Sequence, residues 1–135
     1  MANKKEHLRQ VQINDDAFSF LGGKKPRFID WAITMVFYMA VHHVEAAFAC
    51  INGVGHSECC RKPDESASGT RYRLVKSHLG KQIAFHFYNL EQASKSVRYL
   101  LDNYKDFYDK ESVADFMDKD LASITAAAKL KYDIH

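Results

Sequence analysis

The sequence predicts an all-α fold: an up-and-down bundle of about five helices in a single domain spanning residues 1–135. Three observations carry this. Apolar residues recur at spacings of three and four along most of the chain. No segment shows sustained period-two alternation bounded by turn residues. The chain-breaking residues gather in two stretches, with only two prolines, Pro26 and Pro63. At 135 residues and 47% apolar composition, the chain is long enough for one real core.

The elements follow in order. Leu8, Val11, Phe18 and Leu21 mark a first amphipathic helix over about 4–21. The stretch Gly22-Gly23-Lys24-Lys25-Pro26 ends it. A second helix is expected over about 28–51, with Trp31, Met35, Tyr38, His42, Glu45 and Ala49 recurring at spacings of four, three, four, three and four. Apolar residues also cover its other faces, so it should be central and largely buried. From Asn52 to Gly69 glycine, proline, aspartate and serine accumulate, predicting a loop of about 17 residues that is either mobile or functional. A third helix should begin near Thr70 and break or bend at Gly80. The fourth, about 81–104, has the clearest stripe: Ile83, Phe87, Leu90, Ser94, Val97 and Leu101. The last, about 111–131, places Val113, Met117, Leu121, Ile124 and Ala128 on one face.

A formal net charge of +2 gives no global field that would draw the chain to a polyanion, so any such site must be a local patch. Three cysteines, two of them adjacent, do not make a disulfide framework, and reduced thiols are expected. The N-terminal MANKKEHLRQ is charged, and no run of about 18 apolar residues stands out. The expectation is a cytoplasmic protein with no membrane partner.

One local patch does exist. Residues 71–80 read RYRLVKSHLG, and from 71 to 81 there are four Arg or Lys residues and no Asp or Glu. If the stretch is helical, Arg73 and His78 lie about 140° apart around the axis. They would flank a groove or meet across a symmetric interface, rather than stack. Read alone, the segment is equally a solvated basic helix end.

Two further blocks bear on it. Residues 30–46, DWAITMVFYMAVHHVEA, resemble the long second helix of small prokaryotic HEPN-domain proteins. Residues 88–99, YNLEQASKSVRY, are similar to a later block of the same family, and the order and spacing of the two blocks fit. The resemblance extends over roughly residues 5–130. It implies an all-α bundle that dimerises, and a metal-independent endoribonuclease acting as a toxin or in defence against phage. The family signature is an Arg, four to six residues, then a His. Arg73 and His78 fit with four intervening residues, and Arg71 and His78 fit with six. The resemblance also implies partners: RNA, a second copy of the chain, and an antitoxin or a nucleotidyltransferase.

The chemistry is self-consistent. RNA carries its own nucleophile, the 2′-hydroxyl. A histidine near neutral pKa can accept that proton or donate one to the leaving oxygen. An arginine can meet the added transition-state charge. The expected catalytic residues are therefore Arg73, His78 and Arg71, with Lys76, Lys81 and Tyr72 binding RNA, and Tyr38 and His42 behind them. The alternative is a non-catalytic HEPN-like module that binds RNA, nucleotide or a partner protein. No cofactor is expected. His42 and Glu45 have a ligand-like spacing of three, and His86 is the candidate to join them from the fourth helix. His56, Cys59 and Cys60 offer a second incomplete set. Both are read as polar groups satisfied by the fold or exposed on the loop, so no metal is expected.

Overall fold

The computed structural model describes residues 2–24, 28–99 and 108–133, and among them every regular element is helical. Helix α1 (Lys4–Phe20) is followed by α2 (Ile29–Ala49), a 3₁₀ turn (Ser57–Cys60), α3 (Ala67–Leu79) and α4 (Lys81–Tyr99). Then α5 (Lys110–Asp115) runs through a π-helical turn (Phe116–Leu121) into α6 (Ala122–Tyr132). The predicted all-α bundle is thus observed. The end of the fourth helix, with Leu101, lies outside the described residues.

Helix α2 is the axis. It packs against α1, α4 and α6. Ala32, Ile33, Val36, Phe37, Ala40, Val44 and Phe48 fill the core, recurring each turn and including two adjacent pairs, as a wide buried face does. The stripe named from sequence on this helix is a different one. Trp31 and Tyr38 on it are exposed, and Met35, His42 and Ala49 are half-buried. A helix that is apolar on most faces has a low amphipathic contrast, so its period cannot say which face water keeps. By length and composition α2 could cross a membrane, but 78% of its apolar window is buried in the bundle, as in a core helix.

The other helices obey local rules. Asn3 and Glu6 form a capping box at the start of α1. Ser66 caps α3 by accepting from the Gly69 N–H at 3.0 Å. On α4, Phe87, Leu90, Ser94 and Val97 are buried as the stripe predicts. Gly80 is the whole connection between α3 and α4, with φ +101° and ψ 162°, a region that side chains with a Cβ rarely enter. Val113, Leu121, Ile124 and Ala128 close the core from the last helices. The π turn between them was not visible in the spacing; it carries Asp120, which accepts from His86 Nδ1 at 2.7 Å.

A smaller cluster lies where α1, α2 and α6 meet, built on Ala46, Ala47, Ala128 and Tyr132. His43 is buried beside it, with Nδ1 3.0 Å from the Tyr132 hydroxyl. Burial, then Lys129 and His42, push the His43 pKa down to about 4. Burial likewise holds the Tyr132 hydroxyl protonated up to about 12, so it serves as donor to a neutral imidazole.

The sign of the pH effect follows. The unfolded chain, with His43 near its ordinary value, binds more protons than the fold between about pH 6.5 and 4. Stability is therefore fully present above about 6.5 and falls as pH drops through that window, by roughly 3 kcal/mol from this group. Burial lowers the pKa values of His7 and His42 as well, adding in the same direction. Thermal melts should show the midpoint falling on acidification from pH 7 to 4.5, and His43→Gln should flatten that slope. A midpoint constant across this range would contradict the assignment.

Candidate functional site

The loop that separates α2 from α3 is tied down by two acids. The first is Glu45, one turn from the end of α2 and only 1% exposed. A carboxylate so buried must be paired and hydrogen-bonded or lose its charge. Its Oε1 accepts from Arg71 Nε at 3.3 Å and from the Ser57 hydroxyl. Its Oε2 accepts from the Ser57 backbone N–H at 3.3 Å and lies 3.2 Å from His56 Nε2. One carboxylate thus joins α2, the 3₁₀ turn and α3.

The second acid is Glu65, which precedes the cap of α3. It accepts from Arg73 Nε at 2.8 Å and Nη2 at 3.0 Å, and from the Thr70 hydroxyl at 2.7 Å. The same Arg73 Nη2 donates to the Cys60 carbonyl at 2.9 Å, and Arg61 Nε donates to the Glu65 carbonyl at 2.7 Å. The Arg73 fork and the Thr70 hydroxyl hold the Glu65 pKa down to about 2. The loop is therefore packed, with Val54 buried in the core, rather than open.

This fixes where the sequence-predicted residues fall. Arg71 and Arg73 each have an acid partner within the chain, and both hold the loop. His78 stands in the last turn of α3, half-buried, with no hydrogen bond or ion pair among the described residues. Arg73 and His78 are not joined to one another. Tyr38 is exposed and accepts from Arg98 Nη1 at 3.1 Å, with that guanidinium 5.7 Å from the ring centre. It lines a cleft of about 230 Å³ together with Arg71, Glu91, Lys95 and Arg98. His42 lies elsewhere, its Nδ1 3.0 Å from His7 Nδ1.

Three predicted residues do come together. Tyr72, Lys76 and Lys81 line a groove of about 600 Å³ between α3 and α4, with Ser66, Ser68, Gly69, Phe85, Tyr88 and Glu91. Tyr72 and Tyr88 meet edge to face, with centroids 6.2 Å apart. Phe85 and Tyr88 are both largely exposed. Lys76 and Lys81 stand on either side of Gly80, so the reversal of the chain brings the two ammonium groups to one groove. His78 does not line it. The sequence reading missed Phe85, Tyr88 and Glu91. The signal was present for the aromatics: on α4 they fall outside the buried stripe, where a large aromatic side chain has no packing reason to be.

Comparisons with protein-family models, with curated proteins and with solved structures find no match for this chain.

The Glu45 junction makes a direct prediction. Glu45→Ala leaves the Arg71 guanidinium without its acid and Ser57 without its acceptor. Removing one member of a buried charged pair typically costs about 3–5 kcal/mol. Denaturant unfolding should show a loss of that order. Hydrogen exchange should show the amides of residues 54–60 opening faster than the rest of the chain. A loss below about 1 kcal/mol would mean that the carboxylate does not hold this junction.

Proposed function

We propose that the chain is a HEPN-like RNA-handling module that holds single-stranded RNA in the groove between α3 and α4. One observation carries the reading. The groove presents exposed aromatic rings, Phe85 and Tyr88, beside Tyr72, with Lys76 and Lys81 on the same rim. That is the combination single strands use: bases stack on aromatic faces, and cations track the phosphates. The near-balanced total charge is compatible with this, because the field is local. Arg71 and Arg73 act in this reading as struts that position α3 rather than as phosphate ligands.

Binding of a fluorescent single-stranded RNA, followed by anisotropy over a range of salt, tests it. Each phosphate contact contributes about 0.7 to the slope of log affinity against log salt. Lys76→Ala and Lys81→Ala should each reduce the slope by about that amount. Tyr88→Ala should weaken binding by about 1–3 kcal/mol with little change in slope. Saturable binding that none of the three substitutions alters would remove the groove from the argument.

A second reading, a metal-independent endoribonuclease of the HEPN type acting in defence or as a toxin, is favoured by one specific observation. Among the described residues the His78 ring has no hydrogen-bond partner, as a proton-transfer group awaiting substrate would not. Both nearby arginines are engaged, so the transition-state cation would come from a second copy in a symmetric dimer, or from Arg73 released by Glu65. Cleavage through the 2′-hydroxyl would leave 2′,3′-cyclic phosphate and 5′-hydroxyl ends. His78→Ala should then lower the rate by about 10²–10⁴-fold with RNA affinity unchanged. Intact RNA after prolonged incubation with the protein, or equal cleavage by His78→Ala, would leave the binding reading alone.

A further inference from the structure

We propose that His7, Glu45 and His56 form a binding site for a first-row transition metal ion of the zinc class. Each residue offers one donor atom, and the three donor atoms lie within 4.8 Å of one another. They come from three separate elements: α1, α2 and the start of the 3₁₀ turn. Two imidazoles and a carboxylate are a donor set that zinc accepts, with a fourth position left for water.

The observation that points to a ligand is His7. His7 is only 5% exposed, yet among the described residues its Nε2 has no hydrogen-bond partner. Its other nitrogen, Nδ1, is 3.0 Å from His42 Nδ1. One of that pair must donate to the other. When His7 Nδ1 carries the proton, Nε2 is a buried bare lone pair in a ring stacked on His56, with centroids 5.6 Å apart. A buried lone pair with no donor is costly in a fold where nearly every such group is satisfied. A cation supplies what it lacks. His42 then stands where the partner of a metal-bound histidine normally stands, fixing the tautomer and orientation of the ring.

The present geometry is wider than a loaded site. Donor atoms around tetrahedral zinc, at bonds of about 2.0–2.2 Å, are about 3.3 Å apart. His56 Nε2 and Glu45 Oε2 already stand 3.2 Å apart, so the closing movement is between this pair and His7. Coordination by His56, at the edge of the loop, has a definite consequence. His56 Nδ1 now accepts from the Glu58 N–H at 3.2 Å, which places its own proton on Nε2, toward Glu45. Coordination through Nε2 moves that proton to Nδ1, and Glu58 loses its acceptor. Arg71 can keep Oε1 of Glu45 while the ion takes Oε2. The cysteines at 59 and 60 are not needed. His86, the partner sought from sequence, is already held by Asp120. The proposal is independent of RNA binding.

The test is titration of the chelator-stripped chain with Co²⁺, followed by competition with Zn²⁺. The expected result is one ion per chain, with visible cobalt bands of a four- or five-coordinate site, and their loss on adding zinc. In nitrogen-edited NMR of the wild-type protein loaded with zinc, two imidazoles should show metal-bound nitrogens, and the Glu58 amide should shift. His56→Gln, on the loop edge, should weaken the ion by more than 100-fold. His42→Phe should weaken it by about 10–100-fold, as loss of an orienting partner does. His86→Ala should leave the affinity unchanged. No cobalt band in the wild-type protein overturns the site. So does uptake that His56→Gln leaves intact, and so do imidazole nitrogens unchanged by zinc.

Discussion

A carboxylate placed inside an apolar bundle is the constraint to which the rest of this molecule answers. Helix α2 is enclosed on nearly every face, and Glu45 sits in it with 1% of its surface exposed. An uncompensated charge there would cost several kcal/mol, a large part of what a domain of this size has in reserve. The compensation comes from residues that are distant in sequence: Ser57, His56 and Arg71. Meeting it draws the loop down over the end of α2 and sets where α3 begins. The Glu65–Arg73 fork then fastens the same loop from the other side. The groove between α3 and α4 inherits its position from these two junctions.

The fold was legible because helix periodicity is a local property. The α4 stripe and the isolated break at Gly80 could be read directly, since each depends on residues within a few turns of one another. The α2 stripe could not, because a helix with apolar side chains on most faces leaves burial to its neighbours. The π turn was hidden for a related reason: Asp120 is explained by His86, which lies 34 positions away.

The site was less legible, and the arginines show why. A basic segment with a histidine looks free to act when its own neighbours contain no acid. Arg71 finds its acid 26 residues upstream and Arg73 finds one eight residues upstream. Such pairing is a tertiary fact, which no spacing within residues 71–80 could disclose. By contrast Tyr72, Lys76 and Lys81 line one groove because they share a short stretch around one turn. His7 was passed over because it begins an otherwise ordinary surface helix, and only the packing of α1 on α2 brings it to Glu45.

The Gly80 junction bears on heredity and handedness. Its backbone, φ +101° and ψ 162°, is the mirror image of an ordinary extended conformation. An L-residue there is strained, whereas a D-residue would occupy its own relaxed region. The opening angle of the groove is thus written at one codon for which the ribosome has a single good choice. Drift at that position would change the shape of the cleft before it changed any residue lining it. A chemically assembled chain with D-alanine at 80 could hold the same angle with fewer conformations open to the unfolded state.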